Sequence, residues 1–229
     1  MFVSLPSRDK AAVRWATPLL FAALWLAFLW SATRPQEAHG NLLMDWGALS
    51  DGLDTPLNWA NSLRDGSALR LFTALFLHAD WSHLLGNLVF LMIFGFPAER
   101  MMGSLRFLLL FLLGGATANL AAAATIADGE VLIGASGGVS AVIGAWLVLF
   151  PRARLGVVVP LGVFLEFVRA PAALLIGIWA LLQVLFAYIG PAYGQVAWVA
   201  HLAGFGFGGV FALLSRSAIA KRLRKQRGY

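Results

Sequence analysis

Six hydrophobic segments, separated by polar and charged residues, dominate the pattern of this 229-residue chain. Most of them approach the roughly 20 apolar residues that a helix needs to cross the hydrocarbon core of a bilayer. Backbone polar groups in lipid must be satisfied within the segment, so each run is predicted to be a helix. The segments comprise residues 15–33, 82–97, 104–126, 136–150, 171–189 and 195–215. The pattern predicts an all-α polytopic membrane protein built as a bundle of six transmembrane helices.

The composition agrees with this class. The chain is 60% hydrophobic and 12% charged and contains no cysteine, whereas a soluble domain carries about 25% charged residues. The absence of cysteine excludes disulfides, thiolate catalysis and cysteine-ligated metal sites. The first segment follows Arg8, Lys10 and Arg14 in the manner of a signal peptide. Its apolar core is longer than the usual 7–15 or so residues, so we expect a retained anchor.

The basic residues predict the orientation, because cytoplasmic loops of membrane proteins are enriched in Lys and Arg. With the N-terminus in the cytoplasm, 14 of the 17 basic residues face inward, and Arg34, Arg64 and Arg70 face outward. Both termini are then cytoplasmic, residues 1–14 before the membrane domain and the basic tail 216–229 after it. We expect the tail to attract anionic membrane lipids, and no nucleic-acid partner is expected.

A long outer loop, residues 34–81, interrupts the membrane domain of residues 15–215. It is too long for a plain connector. It mixes apolar and polar residues and contains Trp46 and Trp59, which suit a membrane interface. We expect this loop to lie on or in the outer leaflet.

Four polar residues fall at a similar depth near the outer face, on three segments. Ser136 opens the fourth segment, and His201 follows the start of the sixth by about six residues, or about 9 Å along a helix. His83 and Asn87 lie in the first turns of the second segment, four residues apart and therefore on one helix face. A serine in a glycine-rich turn is more often a packing residue, and a lone histidine can be structural. Together, at matched depth, they predict a functional site.

These residue types suit acyl transfer. A serine hydroxyl becomes nucleophilic when a base takes its proton, and histidine titrates closest to neutrality. The tetrahedral intermediate needs donors for its oxyanion, which Asn87, His83 and the backbone N–H of Ser136 can supply. No acidic residue is predicted at the depth of His201, so we expect a serine–histidine dyad rather than a triad.

Small residues surround the predicted pair. Gly134 and Gly137 keep bulk away from Ser136, and Gly204 and Gly208 form a G-x-x-x-G stripe that begins one turn after His201. Such stripes let helix backbones approach closely. We therefore expect the fourth and sixth helices to pack tightly and to bring the serine within hydrogen-bonding reach of the histidine.

Four motifs make the chain resemble the rhomboid intramembrane serine proteases across about residues 65–210. They are HADWSHLLGN at 78–87, GFPAERMMG at 95–103, GASG at 134–137 and AHLAGFGFG at 200–208. The resemblance implies a rhomboid-like six-helix bundle with a cavity that opens outward and a mobile cap before the sixth segment. It also implies that Ser136 is the nucleophile, His201 the general base, and His83 and Asn87 the oxyanion donors. His78 matches a histidine common in the family, and Glu99 is expected to be structural.

Two positions depart from the family pattern. Many relatives have tryptophan before the arginine of the first loop, where this chain has Leu69. Some carry an aromatic residue four positions after the nucleophile, which stacks on the histidine, and here Ser140 stands there. Another ring, such as Trp198 or Phe205, is available to take its place. Neither change removes a predicted catalytic group.

The sequence thus predicts a serine endopeptidase that cleaves transmembrane protein substrates near the outer face, with no metal or organic cofactor. One alternative is an inactive member of the same superfamily that binds or escorts membrane helices, although such relatives usually lose the serine or the histidine. Another is a small transporter or channel, which would place polar residues at several depths. The absence of an organellar presequence and the compact loops favour a bacterial cytoplasmic membrane. The sequence does not indicate an oligomeric state.

Overall fold

A computed structural model of the chain describes residues 13–49, 56–125, 129–161, 164–189 and 198–226. Most of this part of the chain is helical. The helices are α1 (Ala16–Ala32), α2 (Gln36–Trp46), α3 (Pro56–Asp65), α4 (Arg70–Thr73), α5 (Trp81–Phe90), α6 (Phe96–Met102), α7 (Ser104–Ala123), α8 (Ser136–Leu149), α9 (Ala172–Ile189), α10 (Trp198–Leu214) and α11 (Arg216–Gln226). The predicted cap before the sixth segment lies outside the described residues, as do the side chain of Trp59 and the basic residues Arg8 and Lys10.

Each of the six predicted segments contains a helix. Three continuous helices are long and apolar enough to cross a membrane: Trp81–Met102, Ser104–Ala123 and Trp198–Lys225. The other predicted segments hold the shorter apolar helices Ala16–Ala32, Ser136–Leu149 and Ala172–Phe186. The chain is therefore an integral membrane protein built mainly from apolar helices.

The second segment is longer than predicted. The sequence suggested residues 82–97, but the helix runs without interruption through 22 residues, Trp81–Met102. A π-turn at Leu91–Gly95 joins α5 to α6, and it widens the helix shortly before residue 97, where the prediction had placed its end. Pro97, which has no N–H to donate, follows this π-turn in the first turn of α6. The continuation carries Glu99 into the helix rather than into a loop.

The centre of the bundle is α8. Ten successive residues of this helix, 137–146, are buried, because they are small or apolar and helices α7 and α10 pack on two of its sides. The two largest fully buried side chains are Phe107 and Phe111, both from α7. The start of α8, where Ser136 lies, thus leads directly into a buried helix packed between α7 and α10.

Glu99 joins three helices at the opposite end of the bundle. Its buried carboxylate accepts hydrogen bonds from the backbone N–H groups of Ala16 at 2.9 Å and Thr17 at 3.0 Å. The hydroxyl of Ser104 donates to the same carboxylate at 2.5 Å. The first N–H groups of a helix have no partner within the helix, and its positive end favours an anion. Glu99 therefore caps α1 from α6 and also holds the start of α7.

The C-terminal helix α11 packs against the same end. Ile219 is buried, and the guanidinium of Arg222 donates to the backbone carbonyls of Arg100 at 3.1 Å and Met101 at 3.2 Å. Those carbonyls belong to the last turn of α6, where backbone carbonyls have no N–H partner within the helix. The turn to α7 then passes through Gly103, whose φ of +88° favours glycine. Part of the basic tail is therefore docked on the bundle.

Two small antiparallel sheets qualify the prediction of an all-α fold. Strand β1 (Ala48–Leu49) pairs with β2 (Val131–Leu132), which ties the outer loop to the segment that leads into α8. Strands β3 (Arg154–Leu161) and β4 (Phe164–Pro171) form a hairpin between α8 and α9. The hairpin includes a run of three valines, 157–159, and β-branched residues favour strands. The hydropathy pattern did not predict these strands.

The long outer loop is ordered into helices α2, α3 and α4, flanked by 3₁₀ turns. The hydroxyl of Thr73 donates to the carbonyl of Trp46 at 2.7 Å, and the amide of Asn119 on α7 donates to the carbonyl of Leu71 at 2.8 Å. The loop also leaves large apolar side chains exposed, among them Trp46 at 54% and Leu69 at 65%. This exposure suits the predicted position at a membrane interface.

Candidate active site

The start of α5 fixes the predicted oxyanion residues. Asp80 caps this helix: its carboxylate accepts from the backbone N–H of His83 at 2.9 Å and from the hydroxyl of Ser82 at 2.6 Å. The Ser82 hydroxyl and the His83 N–H hold the pKa of Asp80 below its usual range, so the cap stays charged near neutrality. Because the helix begins at Trp81, His83 and Asn87 lie one turn apart on the same face.

His78 connects this helix to the segment before Ser136. Its Nε2 atom accepts from the side-chain amide of Asn87 at 3.1 Å and from the backbone N–H of Ala135 at 3.4 Å. With two donors on Nε2, the ring proton lies on Nδ1, a buried atom that finds no partner within the described residues. Burial, and after it the nearby His83, lowers the pKa of His78 to about 4. A neutral His78 thus holds Asn87 and the beginning of α8 together.

Gly134 makes room for His83. Its φ is +111°, a conformation that L side chains rarely adopt, and a Cβ atom there would collide with the His83 ring. The N–H of Gly134 donates to the carbonyl of Ala74 at 2.9 Å. The His83 ring also contacts the His78 ring edge to face, with 5.0 Å between ring centroids. The residue that precedes Ala135 and Ser136 is therefore pressed against the predicted oxyanion histidine.

Helices α8 and α10 touch backbone to backbone. A Cβ atom at Gly204 would collide with the carbonyl oxygen of Gly137, and one at Gly208 would collide with the carbonyl oxygen of Ala141. The contact advances four residues on both helices, so they run parallel and in register. Small residues permit this close approach.

This register brings the starts of α8 and α10 side by side. Ser136 precedes Gly137 by one residue, and His201 precedes Gly204 by three, or about 4.5 Å along the axis. His201 lies three residues after Trp198, where the described part of α10 begins. Although both are described, Ser136 and His201 form no hydrogen bond in this structure.

His201 has a partner that the sequence analysis missed. Its Nδ1 atom lies 2.7 Å from the side-chain carbonyl oxygen of Gln183 on α9. Gln183 is the only side-chain amide of an otherwise apolar and aromatic helix. A buried amide in a membrane helix needs a hydrogen-bond partner. A single glutamine in this apolar helix was therefore the feature of the sequence that could have indicated such a contact. The pairing itself depends on how α9 and α10 are aligned, which the sequence does not state.

Ser140 lies at the tight α8–α10 contact. It is buried, and its Cβ lies 3.4 Å from where a Cβ of Gly204 would be. An aromatic contact to His201 comes instead from Trp198, which meets it edge to face at 6.1 Å between ring centroids. Phe205 contacts Trp179 of α9 rather than the histidine.

In the part of the chain that the structure describes, no cluster of three or more His, Asp or Glu side chains is arranged to hold a metal ion. The arrangement instead joins neutral donors and acceptors at the starts of three helices. It offers a hydroxyl on a partly exposed Ser136, ring nitrogens and amide N–H groups. Such groups can exchange protons and stabilise an oxyanion.

Comparison with known proteins identifies the class. The model of the rhomboid domain family matches residues 65–218, a range that includes α5 to α10 and every site residue named above. The chain therefore belongs to the rhomboid family of integral membrane proteins. The loop helix α2 and the first apolar helix α1 precede the matched range.

Several curated protein sequences are similar to it. YdcA of Bacillus subtilis (strain 168), whose name assigns it provisionally to the rhomboid proteases, is 33% identical over 139 residues, covering 60% of this chain and 63% of YdcA. Rhomboid-related protein 2 of Mus musculus is 30% identical over 148 residues, covering 64% and 41% of the two chains. Rhomboid-like protein 11, chloroplastic, of Arabidopsis thaliana is 43% identical over 67 residues, covering 29% and 24%. The chain thus spans less than two thirds of each relative.

Proposed function

We propose that the protein is an intramembrane serine endopeptidase that cleaves transmembrane segments of other membrane proteins near their outer end. The observation that supports this most is the convergence of three helix starts. His83 and Asn87 open α5, Ser136 opens α8 and His201 lies in the first turn of α10. In a membrane helix, polar groups are expensive and mark function more often than packing.

In the proposed reaction, the Ser136 hydroxyl oxygen attacks the carbonyl carbon of the scissile peptide bond while its proton passes to Nε2 of His201. The carbonyl oxygen becomes an oxyanion, for which the Ser136 N–H, the His83 ring and the Asn87 amide are the donors. Asn87 has two amide hydrogens, so it can bind His78 with one and the oxyanion with the other. His201 then returns the proton to the leaving nitrogen, and water hydrolyses the acyl-enzyme by the same steps.

The proposed topology has six spans with both termini in the cytoplasm, comprising residues 1–14, the membrane domain 15–215 and the tail 216–229. The cysteine-free chain allows a direct test with single cysteines at exposed positions. Asn61→Cys on α3 should react with a membrane-impermeant maleimide in intact cells, whereas Ala220→Cys on α11 should react only after permeabilisation. The reverse labelling pattern would refute the orientation. We place the protein in a bacterial cytoplasmic membrane, where fractionation of the source cells can find it.

Cleavage of a fluorescent model transmembrane substrate in proteoliposomes tests the activity. Ser136→Ala and His201→Ala should each lower the rate by about 1,000-fold or more, because nucleophile and base act as a unit. Ser140→Ala is a matched control, because Ser140 is a buried serine one turn further along α8, and it should keep the wild-type rate. Activity that survives in Ser136→Ala would refute the mechanism. A folded wild type that binds the substrate but never cleaves it would favour the escort function.

The oxyanion assignment has its own test. Asn87→Ala should lower kcat by about 100-fold with little change in KM, since the amide acts on the transition state. His78→Gln keeps an acceptor for Asn87 and should retain most of the activity. Equal losses in both variants would indicate that Asn87 serves only to hold His78.

A further inference from the structure

Helix α9 carries one buried amide that its apolar surroundings do not explain. Gln183 is 6% exposed, whereas the neighbouring leucines Leu181 and Leu185 are 67% and 48% exposed. An amide side chain placed away from water is unfavourable unless it is hydrogen-bonded. Leucine or isoleucine would bury more easily at this position. The amide must therefore be offset by a specific contact.

That contact is the hydrogen bond to His201. The Gln183 carbonyl oxygen lies 2.7 Å from Nδ1, and a carbonyl oxygen can only accept. The proton of the neutral ring therefore lies on Nδ1, and the lone pair lies on Nε2. No hydrogen bond to Nε2 is formed by any of the described residues, so this nitrogen keeps its capacity to accept a proton.

Two aromatic contacts hold the amide in register with the ring. Phe186 stacks on Trp198 at 4.9 Å between ring centroids, and Trp179 meets Phe205 at 5.8 Å. Along both helices, the Gln183–His201 hydrogen bond lies between these two aromatic contacts, as expected for antiparallel helices. The two contacts thus bracket the hydrogen bond and restrict sliding of α9 along α10.

We infer that Gln183 is a positioning residue that fixes His201 in the tautomer whose Nε2 can take the proton of Ser136. This inference rests on the proposed protease function, since it gives the histidine its role as base. The site is then a serine–histidine pair with a neutral third member rather than a dyad.

An amide suits this place better than a carboxylate would. A carboxylate inside a membrane helix is costly to desolvate, and no Asp or Glu is present in α8, α9 or α10. The carbonyl dipole of Gln183 still selects the tautomer, and it continues to accept from Nδ1 after His201 has gained its second proton. The histidine is therefore oriented without a second buried charge.

Gln183→Met tests the role, because methionine has a similar shape and lacks a strong acceptor. We expect kcat for the model transmembrane substrate to fall on the order of 10-fold to 100-fold, with KM within about twofold. Leu182→Met, a neighbour on an exposed face of the same helix, is the matched control and should keep the wild-type kcat. A folded Gln183→Met protein with the wild-type kcat would overturn the inference.

The ¹⁵N chemical shifts of the His201 ring give a second readout that does not depend on activity. They are assigned by comparison with His201→Gln and should show the neutral ring protonated at Nδ1 in the wild type. Gln183→Met should instead give a mixture of tautomers. Protonation at Nε2 in the wild type would overturn the inference, even where the variant fails to fold. If the wild type shows the expected tautomer but no Ser136-dependent cleavage, the proposed function fails and the positioning contact stands.

Discussion

Helix α10 packs against its two neighbours in different ways. Towards α8 it presents glycines, and Gly204 and Gly208 rest directly on backbone carbonyls. Towards α9 it presents large side chains, which meet aromatic rings and one amide. A backbone contact has no rotamer to adjust, whereas side-chain contacts can shift by small torsional changes. The α8 face therefore sets the distance between the two helices that carry Ser136 and His201.

The α9 face has a different effect. It determines how the His201 ring is turned and which nitrogen carries its proton, while adding less to the packing core. Among the described residues of α9, only Ala172, Ile176 and Gln183 are buried. Mutations on the two faces should consequently separate stability from orientation. Equal effects of mutations on the two faces would contradict this separation.

The largest effect is expected at Gly208. Gly208→Ala places a methyl group on the carbonyl of Ala141 and should lower the free energy of unfolding by about 3 kcal/mol, the upper end for an overpacked core. Gly206→Ala is the matched control on the same helix, because nothing lies within 4 Å of its Cβ position. It should change stability by no more than about 0.5 kcal/mol. Unfolding in detergent measures both, and equal losses would refute the backbone contact.

The start of α8 is also held by a polar contact, the hydrogen bond from the backbone N–H of Ala135 to His78. The strength of this contact should depend on pH. Burial holds the pKa of His78 at about 4 in the folded protein, against about 6.5 when unfolded. The neutral form of His78 contributes fully to the free energy of unfolding above about pH 6.5. This contribution is lost as the pH falls towards 4, because the unfolded chain then binds a proton that the folded protein does not. The loss by pH 4 is roughly 2–3 kcal/mol.

Unfolding temperatures between pH 7 and 4 measure this effect. The wild type should lose stability on acidification more steeply than His78→Gln, which has no ring to protonate. His39→Gln is the control, since His39 lies on α2 and contacts the Ser31 carbonyl rather than α8. If wild type and His78→Gln lose stability in parallel, the buried histidine does not titrate as expected.

Hydropathy and depth alone predicted the helical class and the group of residues at the outer helix ends. Each apolar run became a helix because lipid-spanning backbone has few other options. The glycine spacing indicated the α8–α10 contact for a similar reason, since two small residues four apart make a groove on any helix. These features are local in sequence and therefore visible in it.

Other features depend on contacts between residues that lie far apart along the chain, and these were not predicted. The bond between Gln183 and His201 requires a particular offset between two antiparallel helices, and neither helix specifies it alone. Glu99 was expected to be structural, but its partners Ala16 and Thr17 lie more than 80 residues away. The β3–β4 hairpin was missed because its valine run is short and resembles the neighbouring apolar segments.

A smaller effect is expected at Ser140, which tests why this chain lacks an aromatic residue there. Ser140→Tyr must fit a ring between α8 and Gly204, so it should destabilise by about 1–2 kcal/mol. Ser140→Ala removes only a hydroxyl and should be close to neutral. Unfolding in detergent compares them, and a stabilised Ser140→Tyr protein would show that the α8–α10 interface can open to accept a ring.

The smallest effect is expected on the side-chain face of α10. Trp198→Ala removes the stack on Phe186, and a double-mutant cycle with Phe186→Ala should give a coupling energy of about 0.5–1.5 kcal/mol. Trp198→Phe keeps a ring against Phe186 and should lose less than half as much stability as Trp198→Ala. The tautomer of His201 should persist in Trp198→Phe, because the Gln183 bond is independent of ring size. A coupling energy near zero would mean that the Gln183–His201 hydrogen bond and the Trp179–Phe205 contact align α9 with α10 without help from the Trp198 stack.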